Sequence, residues 1–97
     1  MPRARDGVIT LKLLISGRVQ GVSFRATLRD QAILHGVDGW VRNLQDGSVE
    51  ALLQGEEADV RAVADWARVG PRGAEVSSVA EERLDTRARH EEFTIVA

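Results

Sequence analysis

Val8 to Gly36 reads VITLKLLISGRVQGVSFRATLRDQAILHG and changes character twice. Val8 to Ile15 is a short run of β-branched and aliphatic residues closed by Ser16-Gly17, the pattern of a buried central strand. Ser16 to Phe24 holds two glycines and no periodicity. From Ser23 to His35 the apolar residues Phe24, Leu28 and Ala32 recur on one helical face, Arg25, Arg29 and Asp30 lie elsewhere, and Gly36 is a natural left-handed stop. The unit is strand, glycine-rich turn, helix.

Val37 to Gly55 reads as a β-hairpin around Gln45-Asp46-Gly47. A two-residue turn pairs Leu44 with Val49. A three-residue loop, with Gly47 left-handed, pairs Asn43 with Val49 and Val41 with Ala51. The second register also sets Arg42 opposite Glu50, a favourable cross-strand charge pair, and is preferred. Glu56 to Val69 is a second helix: Val60, Val63, Ala64 and Ala67 follow helical spacing, and Gly70-Pro71 ends it. Val76 to Leu84 and Phe93 to Val96 read as later strands. The order β-α-β-β-α-β predicts an α+β, ferredoxin-like sandwich, an antiparallel sheet with two helices on one face and a short extra C-terminal strand. Met1 to Gly7 is expected to be a disordered tail, and residues 8–97 a single domain.

Composition narrows the function. With no cysteine and only His35 and His90, thiol chemistry is excluded and a histidine-based metal site is not expected. A net charge of −2 and four aromatic residues (two Trp, two Phe, no Tyr) argue against nucleic-acid binding, RNA-recognition motifs included. No apolar run approaches the ~20 residues of a membrane span. A cytoplasmic monomer is the expectation.

The topology brings the end of the first strand, the start of the first helix and the end of the second strand to one edge, and so joins Arg25 to Asn43. The turn from Gly17 through Arg18, Val19, Gln20, Gly21 and Val22 to Ser23 and Phe24 offers backbone N–H groups near a positive helix terminus. Arg25 adds a guanidinium fork matched to phosphate oxygens. A cation there is unfavourable by ~0.3–1 kcal/mol unless an anion completes the site. Physically this is a phosphate cradle, though not a Walker loop.

GRVQGVSFR, followed by GVDGWVRNLQDGSVEALLQG, resembles the acylphosphatase family from about Leu11 onward, with GPRGAEVSSV and the closing FTIV continuing the likeness. Gln45 and Ala97 depart from the common pattern without touching the implied site. The resemblance implies that Arg25 and the loop amides bind the phosphoryl group and that Asn43 orients the attacking water. It implies a small acyl phosphate as substrate, inorganic phosphate as product and inhibitor, and neither metal nor cofactor. The chemistry is coherent on its own terms. The departing carboxylate has a conjugate-acid pKa near ~4 and needs no general acid, and a loose phosphoryl transfer depends chiefly on positioning and charge. The alternative is a non-catalytic phosphate-binding or regulatory module on the same fold. His35 reads as a helix-end residue, His90 as part of a solvated turn, Asp46-Gly47 as a turn, and Trp40 and Trp66 as packing residues.

Overall fold

The computed structural model describes residues 7–97. Its elements are β1 (Val8–Arg18), α1 (Phe24–Leu34), β2 (Asp38–Asn43), β3 (Val49–Glu56), α2 (Glu57–Ala67), β4 (Glu75–Leu84) and β5 (Phe93–Ile95). The strands form one sheet in the order β4-β1-β3-β2-β5, with β1 and β3 at its centre. Central strands need apolar residues facing the helices. Leu11, Leu13 and Ile15 of β1 supply them, with Val49, Ala51 and Leu53 of β3 alongside, each 0–1 % exposed. The helices answer with Phe24, Leu28 and Ala32 from α1 and Val60, Val63, Ala64 and Ala67 from α2. The expected helical faces are therefore the buried ones, and the ferredoxin-like sandwich is the fold.

The β2–β3 register is that of the three-residue loop: Asn43 faces Val49, Arg42 faces Glu50 and Val41 faces Ala51. The Leu44 N–H donates to the Ser48 carbonyl at 2.8 Å, closing the loop, and Gly47 has φ 96°. Arg42 meets Glu50 through an Nε–Oε1 contact of 2.8 Å. At the sheet's other side, Glu81 of β4 takes Arg61 of α2 at 2.7 Å and Arg68, the residue that caps its C-terminus, at 2.6 Å.

Two expectations need correction. The first strand does not stop at Ile15. It continues through Gly17 and Arg18, which pair with Val76 and Glu75 of β4 after a register shift between Ser16 and Gly17. Gly17 has φ 122°, and a Cβ there would stand 2.2 Å from the Glu75 carbonyl oxygen. This glycine serves a close strand approach. The second correction concerns β5, which runs parallel to β2, so the sheet is mixed. β4 and β5 lie at opposite edges of the sheet, so the chain between them must cross it. Residues between β4 and β5 do so under the hold of Gln54, whose Nε2 donates to Thr10 Oγ1 (2.9 Å) and the Ala88 carbonyl (2.8 Å). Its Oε1 accepts the His90 N–H at 2.9 Å. Of the expected N-terminal tail, residues 1–6 lie outside the described residues, and the Gly7 carbonyl accepts the Glu57 N–H at 2.8 Å.

Candidate active site

Three chain segments meet at one end of the sheet: the loop leaving β1, the first turn of α1 and the end of β2. The loop's backbone alternates in hand. Gly21 has φ 76° and Ser23 φ 61°, with Val22 on the ordinary negative side between them. Alternating handedness turns successive N–H groups toward one concavity, the geometry of an anion nest. Gly21 adopts its conformation freely and leaves open space where a Cβ would stand. Ser23 does not adopt it freely. A non-glycine residue in the left-handed region costs about 1–2 kcal/mol, a strain that persists only where the surroundings impose it.

Those surroundings are visible. Ser23 is the N-cap of α1, yet its side chain makes no capping bond. Its carbonyl accepts both the Thr27 N–H at 3.0 Å and the Thr27 hydroxyl at 2.7 Å. The next residue, Phe24, is 2 % exposed and lies against Trp66 with ring centroids 5.5 Å apart, tilted by 56°. Such an aromatic pair adds about 0.5–1.5 kcal/mol beyond burial. With Phe24 anchored inward, the half-buried Arg25 takes its place at the cleft. The first turn of α1 holds no acidic residue, so no carboxylate offsets the positive end of the helix or competes for Arg25 there.

A cleft of about 460 Å³ opens at this point. Arg25 and Asn43 both line it, together with Val19, Gln20, Gly21, Ser23 and Phe24 of the loop. The far-separated Arg and Asn are thus brought to one place. Gly17, Arg18 and Val22 are not on the lining. Gly17 and Arg18 belong to the β1–β4 ladder, and Val22 packs against the core. Two residues not singled out in the sequence, Ala26 and Ile95, complete the wall. Ala26 follows Arg25 along the helix and could have been read from that adjacency. Ile95 carried no local signal, because it arrives through the long-range β2–β5 pairing. A larger groove, about 740 Å³, lies at the opposite end of β1 between Val8–Thr10 and Arg83–Arg89, and includes none of the expected phosphate-handling residues.

Asn43 is the last residue of β2, and the turn beyond it is stiff. Asp46 accepts both the Ser48 hydroxyl and the Ser48 N–H, the latter at 2.9 Å. These bonds, the hydroxyl first, hold the Asp46 carboxyl below its ordinary range, which suits a turn-former and not a proton donor. Among the described residues no three His, Asp or Glu side chains gather as a metal donor set would require. The arrangement offers directed N–H groups, one guanidinium and one neutral carboxamide. Such groups grip a tetrahedral dianion and orient a water molecule without exchanging protons.

The sequence model of the acylphosphatase family matches residues 11–95. An acylphosphatase of Pseudomonas paraeruginosa is 53% identical over 76 residues, 78% of this chain and 84% of that protein. One from Pelotomaculum thermopropionicum is 43% identical over 95 residues, 98% of each chain. Among solved structures, an acylphosphatase from Coxiella burnetii superposes with a TM-score of 0.92 at 31% identity, covering 99% of this chain and 100% of the other.

Proposed function

The chain belongs to the acylphosphatase family, and from that premise we propose how its own residues hydrolyse an acyl phosphate. The phosphoryl group of R–CO–O–PO₃²⁻ sits in the nest, its oxygens held by the backbone amides of Gln20 to Phe24 and by the Arg25 guanidinium. Asn43 holds a water molecule in line with the P–O bond to the carboxylate. The water oxygen bonds to phosphorus as that P–O bond breaks, and the electron pair leaves with the carboxylate. The water's proton passes to a phosphate oxygen, and the products are a carboxylate and inorganic phosphate.

The observation that carries this reading is the shared cleft of Arg25, Asn43 and a loop of alternating backbone hand. Charge stabilisation by oriented donors is most effective where the donors need not reorganise as the reaction proceeds. The strained Ser23 and the anchored Phe24 support such rigidity. Every group required comes from one copy of the chain, so the proposal includes a monomer, acting in the cytoplasm. Inorganic phosphate, which fits the same nest, inhibits competitively.

The test is phosphate release from benzoyl or acetyl phosphate by the wild type, Arg25→Ala and Asn43→Ala. Arg25→Ala is expected to lose most activity while remaining folded. Asn43→Ala is expected to lower kcat while still binding inorganic phosphate. Full turnover by folded Arg25→Ala removes the assigned role. A wild type that binds phosphate without turnover favours the regulatory-module alternative.

A further inference from the structure

The side chain of Gln20 does something that its backbone does not. Its Nε2 donates to two carbonyl oxygens of the β2–β3 turn, Leu44 at 2.8 Å and Ser48 at 2.9 Å. Both amide hydrogens are thereby used, and two carbonyl acceptors fix which end of the carboxamide faces the turn, because only the nitrogen can donate. The same carbonyls close the hairpin: the Ser48 oxygen also accepts the Leu44 N–H, and the Leu44 oxygen also accepts the Gly47 N–H at 3.2 Å. Leu44 directly follows Asn43.

Without this brace, the nest and Asn43 are connected through the sheet only by way of β3. β1 pairs with β3, and β3 pairs with β2, so Asn43 lies two strands from the strand that launches the loop. Gln20 crosses that gap in one step, from the residue whose amide opens the nest to the residue beside the water-holding carboxamide. We infer that the Gln20 side chain is a positioning residue, fixing Asn43 relative to the phosphoryl group and so setting the line of attack. This rests on the reading of Asn43 as the residue that holds water. A displacement of about 1 Å in such an alignment lowers turnover by as much as about 100-fold, whereas the nest's amides are peptide groups that survive any substitution of the side chain.

The decisive variant is Gln20→Met, which keeps the length and removes both donors. Acyl phosphate turnover and competitive inhibition by inorganic phosphate are measured for Gln20→Met alone and combined with Asn43→Ala, with urea unfolding as a check of the fold. The expected result is a fall in kcat of about 10-fold or more, with the phosphate inhibition constant within about twofold of wild type. In the Asn43→Ala background the same substitution should have little further effect on kcat, because residues that act through one another are not additive. An unchanged kcat overturns the inference. So does a phosphate constant that weakens as much as kcat falls, or a penalty that persists in full without Asn43. Should Gln20→Met unfold, Gln20→Asn, one methylene too short to reach both carbonyls, carries the same expectation. Full turnover by Asn43→Ala alone would instead sink the role of Asn43, a separate failure visible in the same experiment.

Discussion

Arg25 stands where a helix least favours a cation, and that allows its function to be read as a change in stability. Arg25→Gln removes the charge while keeping a long polar side chain of similar helix propensity. In the free protein, α1 begins without a side-chain cap and with no acidic residue in its first turn, so nothing local offsets the repulsion between the guanidinium and the helix dipole. Relief of that repulsion is worth ~0.3–1 kcal/mol. For a domain of this size that corresponds to a rise in Tm of about 1–8 °C. Phosphate should reverse the order. A ligand at 100 times its Kd stabilises the native state by about 2.7 kcal/mol, a gain the wild type collects and the variant, deprived of the side chain proposed to bind phosphate, largely forgoes. Thermal unfolding in phosphate-free buffer and again across a phosphate titration should therefore show the two curves crossing, the variant melting higher at first and the wild type higher at saturation. If the variant is less stable without phosphate, or keeps the full phosphate-dependent shift, Arg25 is not an anion ligand held against the helix dipole.

Other outcomes can be checked directly. Gly17→Ala should destabilise the fold by more than ~1 kcal/mol in urea unfolding, because it combines positive φ with a clash against the Glu75 carbonyl; a neutral result would mean that the β1–β4 shift relaxes without resistance. The Glu81 carboxyl is held below its ordinary value of 4.5 by the hydrogen bond from Arg61, with a smaller contribution from Arg68. The resulting stability is complete above pH 4.5 and is lost as pH falls through the lowered folded value, so the advantage of wild type over Glu81→Gln should vanish in acid; a difference constant across that range would exclude the linkage. Because the described residues offer no metal donor cluster, turnover should survive exhaustive EDTA treatment, and a strict need for a divalent ion would overturn the metal-free mechanism.

The parts of the fold legible in the sequence were those governed by neighbours along the chain. The helical spacing of Phe24, Leu28 and Ala32 marked the buried face of α1, and the choice of a three-residue loop over a two-residue turn placed Asn43 opposite Val49. Given those elements, topology alone joined Arg25 to Asn43. What escaped was decided by distant partners. The extension of β1 to Arg18 depends on Val76 and Glu75 of β4, far along the chain, and the direction of β5 depends on a crossing fixed by Gln54. In the site, the left-handed Ser23 had no residue-type signal, since serine rarely adopts that conformation. The two hydrogen bonds of Gln20 needed a hairpin 24 and 28 positions away.

The separation of the cleft's parts along the polypeptide bears on how the chain acquires and loses its native form. The pairing of β1 with β3 joins Val8 to Glu56 and Ile15 to Val49, closures whose entropy must be met before those contacts reward it. The nest is short in sequence, but the strand that launches it and the helix that closes it are held only once the sheet has formed, so it has little to offer an anion in a half-organised chain. Phosphate should consequently act as a brake on escape from the folded state, slowing the unfolding rate while leaving the rate of its formation nearly untouched. The ligand then guards a finished molecule and takes no part in building one.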